Sequence, residues 1–228
     1  MDAERLLYRL NCGKSLRPTE LKELVDRLES DLDNSEICLD DHYIMLLVLR
    51  RAKAIEQRSL LERYLLVRDP MVGCLVLETL CRDWGFLADY LERVINLALG
   101  VPWDNDDDMR FCAIELLGDF LESGRNDTNA DYQAAMKKVV QLLLRTVEVE
   151  TEPRLVREAA LAALVRAADG TKLSPAELSR IDFCAKETEQ QINTAVQLIM
   201  SSGSNSELPS VSSPTGVISR FTGSPATR

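Results

Sequence analysis

The chain has 228 residues, 46% hydrophobic but only 5% aromatic, with few Gly and Pro (10 and 8). Its abundant Leu, Ala and Val favour helix over sheet, and the length suffices for one sizeable core or two small ones. The formal net charge is −10, and since residues 201–228 carry Arg220 and Arg228 against Glu207, the rest of the chain stands at about −11. An acidic body repels phosphate backbones and weighs against nucleic acid. It suits a basic protein partner through complementary fields, although the same charge also serves solubility alone.

In chain order, Met1–Asn11 reads as a short helix with Leu6, Leu7 and Leu10 on one side, ended by Gly13. It carries Asp2, Glu4, Arg5 and Arg9 where a secretory leader would be apolar. Pro18 opens a second helix to about Asp33, with Leu21, Leu24, Val25 and Leu28 as its buried stripe, and Asp33-Asn34-Ser35 closes it. Asp40 is placed to cap a third helix to about Ala54, and Gln57–Val67 follows as its partner. Asp69 caps a helix with Pro70 first, predicted to run to Arg82; Asp83-Trp84-Gly85 turns the chain into a return helix, Phe86–Leu99. Helices are expected at about Asp106–Glu122 and Asn129–Val147, then from Thr151 or Glu152 to Asp169-Gly170. Ser174-Pro175-Ala176-Glu177 is a capping box, and the helix after it is predicted to reach Met200. Its seam of Leu178, Ile181, Ala185, Thr188, Ile192, Ala195 and Ile199 fits a helix covering the last repeat, or a weak coiled-coil contact with another chain. From Ser201 the composition turns to Ser, Pro, Gly and Thr, a disordered tail with one apolar island at Val217–Phe221.

One helix opening recurs. Asp69-Pro70-Met71-Val72-Gly73, Asp106-Asp107-Asp108-Met109-Arg110 and Glu152-Pro153-Arg154-Leu155-Val156-Arg157 are each followed by apolar residues at helical spacing. Val72, Val76 and Leu80 align with Met109, Ala113 and Leu117, and with Val156, Ala160 and Leu164. These units resemble HEAT repeats, whose first helix often opens Asp-Pro-x-Val-Arg-x-x-Ala-x-x-x-Leu-Gly. Gly73 stands in the Arg place, Met109 in the Val place and Asp107 in the Pro place, and one residue is inserted behind Pro153. The spacing departs from a uniform array, with 37 residues from Val72 to Met109 and 47 from there to Val156. The resemblance covers about residues 40–170. It implies an all-α fold, a right-handed α-solenoid of antiparallel helix pairs, with partners held on the concave face by the second helices. Asp89, Glu92, Arg93, Lys137 and Lys138 are the candidate partner-binding residues, against the plain alternative of solvated helix faces.

The expected division is an N-terminal helical cap over 1–39, repeats over 40–170, a capping helix over 171–200 and the tail over 201–228. Little points to catalysis. His42 is the only histidine, beside Asp40 and Asp41 at a helix start, where a surface position is expected. That leaves no basis for His-based zinc or iron sites or for a conventional triad. Phosphate-binding glycine motifs are missing, and no basic cluster surrounds Trp84 or Trp103; Arg50, Arg51 and Lys53 form the densest basic group. Asp104, Asp106, Asp108 and Glu115 fall at positions 1, 3, 5 and 12 of a calcium loop, but Met109 sits where its sharp turn needs Gly, so an acidic helix start is the better reading. Six cysteines lack a CxxC pair, and all but Cys12 and Cys38 fall on predicted helices, which suggests reduced, buried thiols in a cytoplasmic protein. No stretch approaches the roughly 18 apolar residues that span a membrane. The expectation is therefore a non-enzymatic scaffold or adaptor for a basic protein, without catalytic residues, cofactor or metal. An inhibitor or immunity protein is one concrete form. The alternative is an enzyme or lyase accessory on the same fold, using carboxylates such as Asp89 or Glu92.

Overall fold

The computed structural model describes residues 2–33, 39–125 and 127–202, and the segment 203–228, with the expected tail and its apolar island, lies outside them. The turn expected at Asn34-Ser35 and the side chain of Cys38 lie outside them as well. Among the described residues the regular structure is entirely helical. They form two compact units divided after Phe120.

In the first unit, α1 (Ala3–Asn11) starts where Asp2 accepts the Arg5 N–H at 3.0 Å. It ends in a Schellman turn: Lys14 N–H reaches the Arg9 carbonyl and Gly13 N–H that of Leu10, with Gly13 at φ +75°. The Glu20 carboxylate at the head of α2 (Pro18–Asp33) ties the two helices together. It accepts the Arg17 N–H at 2.9 Å and the guanidinium groups of Arg9 and Arg17 at 2.6 and 2.7 Å. Leu24 and Leu28 are fully buried, and the Tyr64 hydroxyl donates to the Leu28 carbonyl at 3.1 Å.

His42 corrects an expectation. The helix α3 (Leu39–Ala52) begins before Asp40, so His42 falls on the buried side of its first turn. It is 1% exposed, with Nε2 3.0 Å from Asp31 of α2 and its ring edge-on to Tyr64. The expected partner helix over 57–67 is also shorter. After Lys53 (φ +52°) comes a 3₁₀ turn, Ile55–Gln57, and then α4 (Arg58–Tyr64), whose end closes through Leu66 and Val67 bonds to the carbonyls three residues back.

The Asp69 cap forms as read: its carboxylate accepts the Val72 N–H at 2.9 Å and Pro70 opens α5 (Pro70–Glu78). The helix then widens into a π turn over Thr79–Asp83, closed by the Trp84 N–H to the Thr79 carbonyl at 2.9 Å. The Thr79 hydroxyl occupies the Leu75 carbonyl at 2.6 Å, a back-bond that favours bending there. Gly85, at φ +79°, completes the turn into α6 (Leu87–Ala98). In α7 (Asp108–Ser123) the opening residue differs from the expected one. Asp104 acts as the cap, accepting from the N–H groups of Asp108 and Met109 at 3.2 and 2.8 Å, and Asp107 takes φ +60°. Helix α1 packs on α3, α3 on α5, and α4 on α5.

In the second unit, Asn129 caps α8 (Ala130–Glu148) by accepting the Asp131 and Tyr132 N–H groups. The helix packs on α9 (Arg154–Asp169), where Ala160 is fully buried and Gly170, at φ +83°, makes the exit. The Ser174 capping box forms, but the long helix predicted after it is broken into α10 (Pro175–Leu178) and α11 (Lys186–Ser202). Arg154 accounts for the break. Its guanidinium donates to the carbonyls of Ser179 and Ile181, which a continuous helix would need for its own bonds. Ile181, Thr188, Ile192, Ala195 and Ile199 are buried, and α11 packs on α9. Cys184, expected on a helix among apolar neighbours, is instead exposed in the turn between α10 and α11, where its N–H bonds Asp182 at 2.9 Å. Cys12 is exposed as well, Cys74 and Cys112 are half-buried, and Cys81 is buried, its thiol pushed up to about 12 by that burial.

Two substitutions test these ties. Asp69→Ala removes the α5 cap and should lower stability by about 1 kcal/mol, read as a lower thermal midpoint in circular dichroism. Glu20 is held at about 2, against an ordinary 4.5, by hydrogen bonds from Arg17 and then Arg9. A carboxylate lowered in this way contributes stability that is full above 4.5 and lost as the pH falls through about 2. Glu20→Gln should therefore be less stable than the parent at pH 7, with the difference closing as both are titrated down to pH 2; a pH-independent difference would refute the linkage.

Candidate partner-binding surface

Asp89, Glu92 and Arg93 all lie on α6, whereas Lys137 and Lys138 lie on α8 in the other unit. Asp89 and Glu92 are exposed and Arg93 is half-buried. Asp89 and Arg93 have structural work. The Arg58 guanidinium donates to Asp89 at 2.8 Å, and Arg93 donates to the Leu65 carbonyl at 2.8 Å, so both join α6 to the α4 segment. Arg58 lies over the rings of Phe86 and Tyr90, at 4.4 and 4.9 Å from their centroids. It also bonds the Tyr90 hydroxyl at 2.8 Å and Glu62 at 3.2 Å, and the Tyr90 hydroxyl donates to Glu62 at 2.5 Å. Burial and the Glu62 carboxylate push the Tyr90 hydroxyl up to about 12, and the tyrosine hydroxyl in turn holds Glu62 below its usual range. This is a closed, satisfied network that braces α4 against α6, with no group poised for proton transfer. Lys137 and Lys138 are exposed on α8.

Sequence reading missed how the arginines are used. Residues 1–120 hold 24 acidic against 15 basic side chains, a net −9. Several arginines there are paired with acids or carbonyls: Arg50 to Glu78 and Asp83, exposed Arg63 to Asp33, exposed Arg82 to Asp119, and buried Arg110 to the Ala98 carbonyl. The densest basic group of the sequence therefore loses Arg50 to an interhelical pair. Asp26, Glu29, Asp40, Glu56, Asp106 and Asp108 remain exposed.

The second unit holds a cleft of about 340 Å³ lined by Val147, Glu148, Glu150, Arg157, Phe183, Cys184, Glu189, Ile192 and Asn193. Its cation is already committed. Arg157 donates from Nε to the Val147 carbonyl at 2.8 Å and stacks on Phe183 at 4.2 Å. Glu148, Glu150 and Glu189 are exposed around an apolar floor of Val147, Phe183 and Ile192. That arrangement accepts a cationic side chain better than an anionic one. No sequence signal marked it, because its walls come from α8, α9 and α11 and from the turn before α11.

The acidic opening at Asp104–Asp108 does not form a calcium loop. Both Asp104 oxygens accept backbone N–H groups, and residues from Asp108 onward are helix. Among the described residues no three His, Cys, Asp or Glu side chains gather as a metal site, and no helix is long and apolar enough to cross a membrane.

Arg157→Lys keeps the charge while removing the planar stack on Phe183 and the Nε bond. It should lower stability by about 1–2 kcal/mol in denaturant unfolding, and unchanged stability would show that the stack contributes nothing. Comparison with known proteins found no matching family model, no matching curated protein and no matching solved structure.

Proposed function

We propose that the chain is a non-enzymatic scaffold or adaptor whose acidic helical surface holds a basic protein partner. The observation that carries this reading is the excess of acid over base in residues 1–120, 24 against 15, with Asp26, Glu29, Asp40, Glu56, Asp106 and Asp108 exposed. A net charge of −9 over residues 1–120 speeds encounter with a cationic partner. The cleft of the second unit, with Glu148, Glu150 and Glu189 around an apolar floor, fits a Lys or Arg side chain of that partner. Asp89 and Glu92 on α6 are further contact points.

A HEAT-like stack is the architecture this function would use. The order of neighbours supports it within the first unit, where α1 packs on α3 and α3 on α5, and the Gly73 backbone of α5 meets Met109 of α7. Helices that pack on their next-but-one neighbour are what a solenoid of helix pairs requires. The unpaired thiols fit a reducing, cytoplasmic setting.

Affinity capture from native lysate with graded salt washes tests the proposal. Proteins retained at low salt should be basic and should elute progressively as ionic strength rises, and Glu148→Lys/Glu150→Lys should retain less of them at low salt. Retention of neutral or acidic proteins, indifferent to salt and to these substitutions, would overturn it.

A further inference from the structure

The first unit brings three sulfur-bearing side chains together. Cys74 projects from α5, and Met109 and Cys112 lie three residues apart on α7, a spacing that puts both on one helix face. The Cys74 Sγ is 3.6 Å from the Met109 Sδ, and the Cys112 Sγ is 3.9 Å from the Cys74 carbonyl oxygen. Gly73 makes the approach possible: a Cβ there would stand 2.6 Å from the Met109 sulfur. Met109 is buried, while Cys74 and Cys112 are half-buried.

We propose that Cys74, Met109 and Cys112 form a binding site for a soft monovalent metal ion of the copper(I) class. Metal–thiolate bonds of about 2.3 Å place three sulfurs around one ion about 4 Å apart, so the 3.6 Å separation needs only a small adjustment. Two thiolates and a thioether are soft donors, the set that selects copper(I) over magnesium, calcium or manganese. Zinc would want a fourth nitrogen, sulfur or carboxylate ligand. The nearby acid, Glu78, is held by Arg50 at 3.0 Å and Arg82 at 3.4 Å, and the sole histidine is engaged with Asp31. Binding breaks both S–H bonds, each sulfur donates its electron pair to the metal, and the two protons leave to solvent; no atom changes oxidation state. The site then carries one net negative charge, close to the Arg82 guanidinium. Both thiols must lose their protons on binding, so uptake strengthens as pH rises. The site is independent of the partner-binding surface and stands or falls separately from it.

The test is an anaerobic titration of the reduced full-length chain against copper(I) held by a chromophoric chelator, followed by X-ray absorption of the loaded protein. One equivalent should transfer to the parent chain, with sulfur as the only near ligand. Cys74→Ser and Cys112→Ser should lose that equivalent. Met109→Leu, which conserves volume and should keep the fold by circular dichroism, should weaken binding about ten-fold or more. Cys12→Ser, at an exposed thiol remote in sequence, should leave it unchanged. Failure of the parent chain to take copper from the chelator, equal uptake by Cys74→Ser, Cys112→Ser or Met109→Leu, or loss on Cys12→Ser would each overturn the assignment.

Discussion

The longer helices among the described residues carry apolar stripes that they cannot bury alone, and the packing of those stripes is the constraint on which the remaining features depend. Fully burying a leucine contributes roughly 1.5–3 kcal/mol, whereas an exposed ion pair contributes about 0–1 kcal/mol. Leu24, Leu28, Leu46, Leu49, Leu60, Leu61, Leu77 and Leu80 are all almost wholly buried in the first unit, so packing outweighs the many arginine pairs around it. Close packing needs small residues at the contacts. Gly73 fills that role on α5, and the fully buried Ala113 and Ala160 fill it on α7 and α9.

The arginines follow from that packing. Helices brought close leave helix-end carbonyls and partly buried carboxylates near their flanks, and both need donors. A guanidinium supplies five donors on a long apolar stem, so one side chain can reach across a helix and satisfy several acceptors. Arg58 bonds Glu62, Asp89 and Tyr90 at once; Arg154 takes Glu158 together with two carbonyls. Each guanidinium paired with a carboxylate cancels one acid, so the excess of acid over base resides in the carboxylates left over. That excess is set by the sequence and not by how the helices are joined.

What could be read from the sequence was local. The caps at Asp69 and Ser174 and the glycine exits at Gly13, Gly85 and Gly170 use bonds within a few residues, and each forms where the pattern placed it. The misplaced features depend on distant residues. His42 looked like a surface residue because its partners, Asp31 and Tyr64, lie on other helices. The predicted helix after Ser174 is interrupted because Arg154, over twenty residues earlier, takes its carbonyls. The candidate residues on α6 were legible as exposed positions, but nothing in their spacing revealed that Arg58 and the Leu65 carbonyl would engage two of them.

The two metal-like patterns invert in the same way. Asp104–Asp108 imitates a calcium loop because its carboxylates are adjacent in sequence, yet folding turns both oxygens of its first carboxylate to helix N–H groups and leaves no preformed cage for a hard cation. Cys74 and Met109 are 35 residues apart and match no ligand spacing, yet the helices that carry them put their sulfurs in contact. That contact lies at two positions of the recurring helix opening, Gly73 and Met109. A branched valine at 109 would supply no sulfur, and any side chain at 73 would push the thioether away. The two residues make sense together as one packing event, and the soft donor set it creates is a consequence of tertiary structure that no single stretch of the chain encodes.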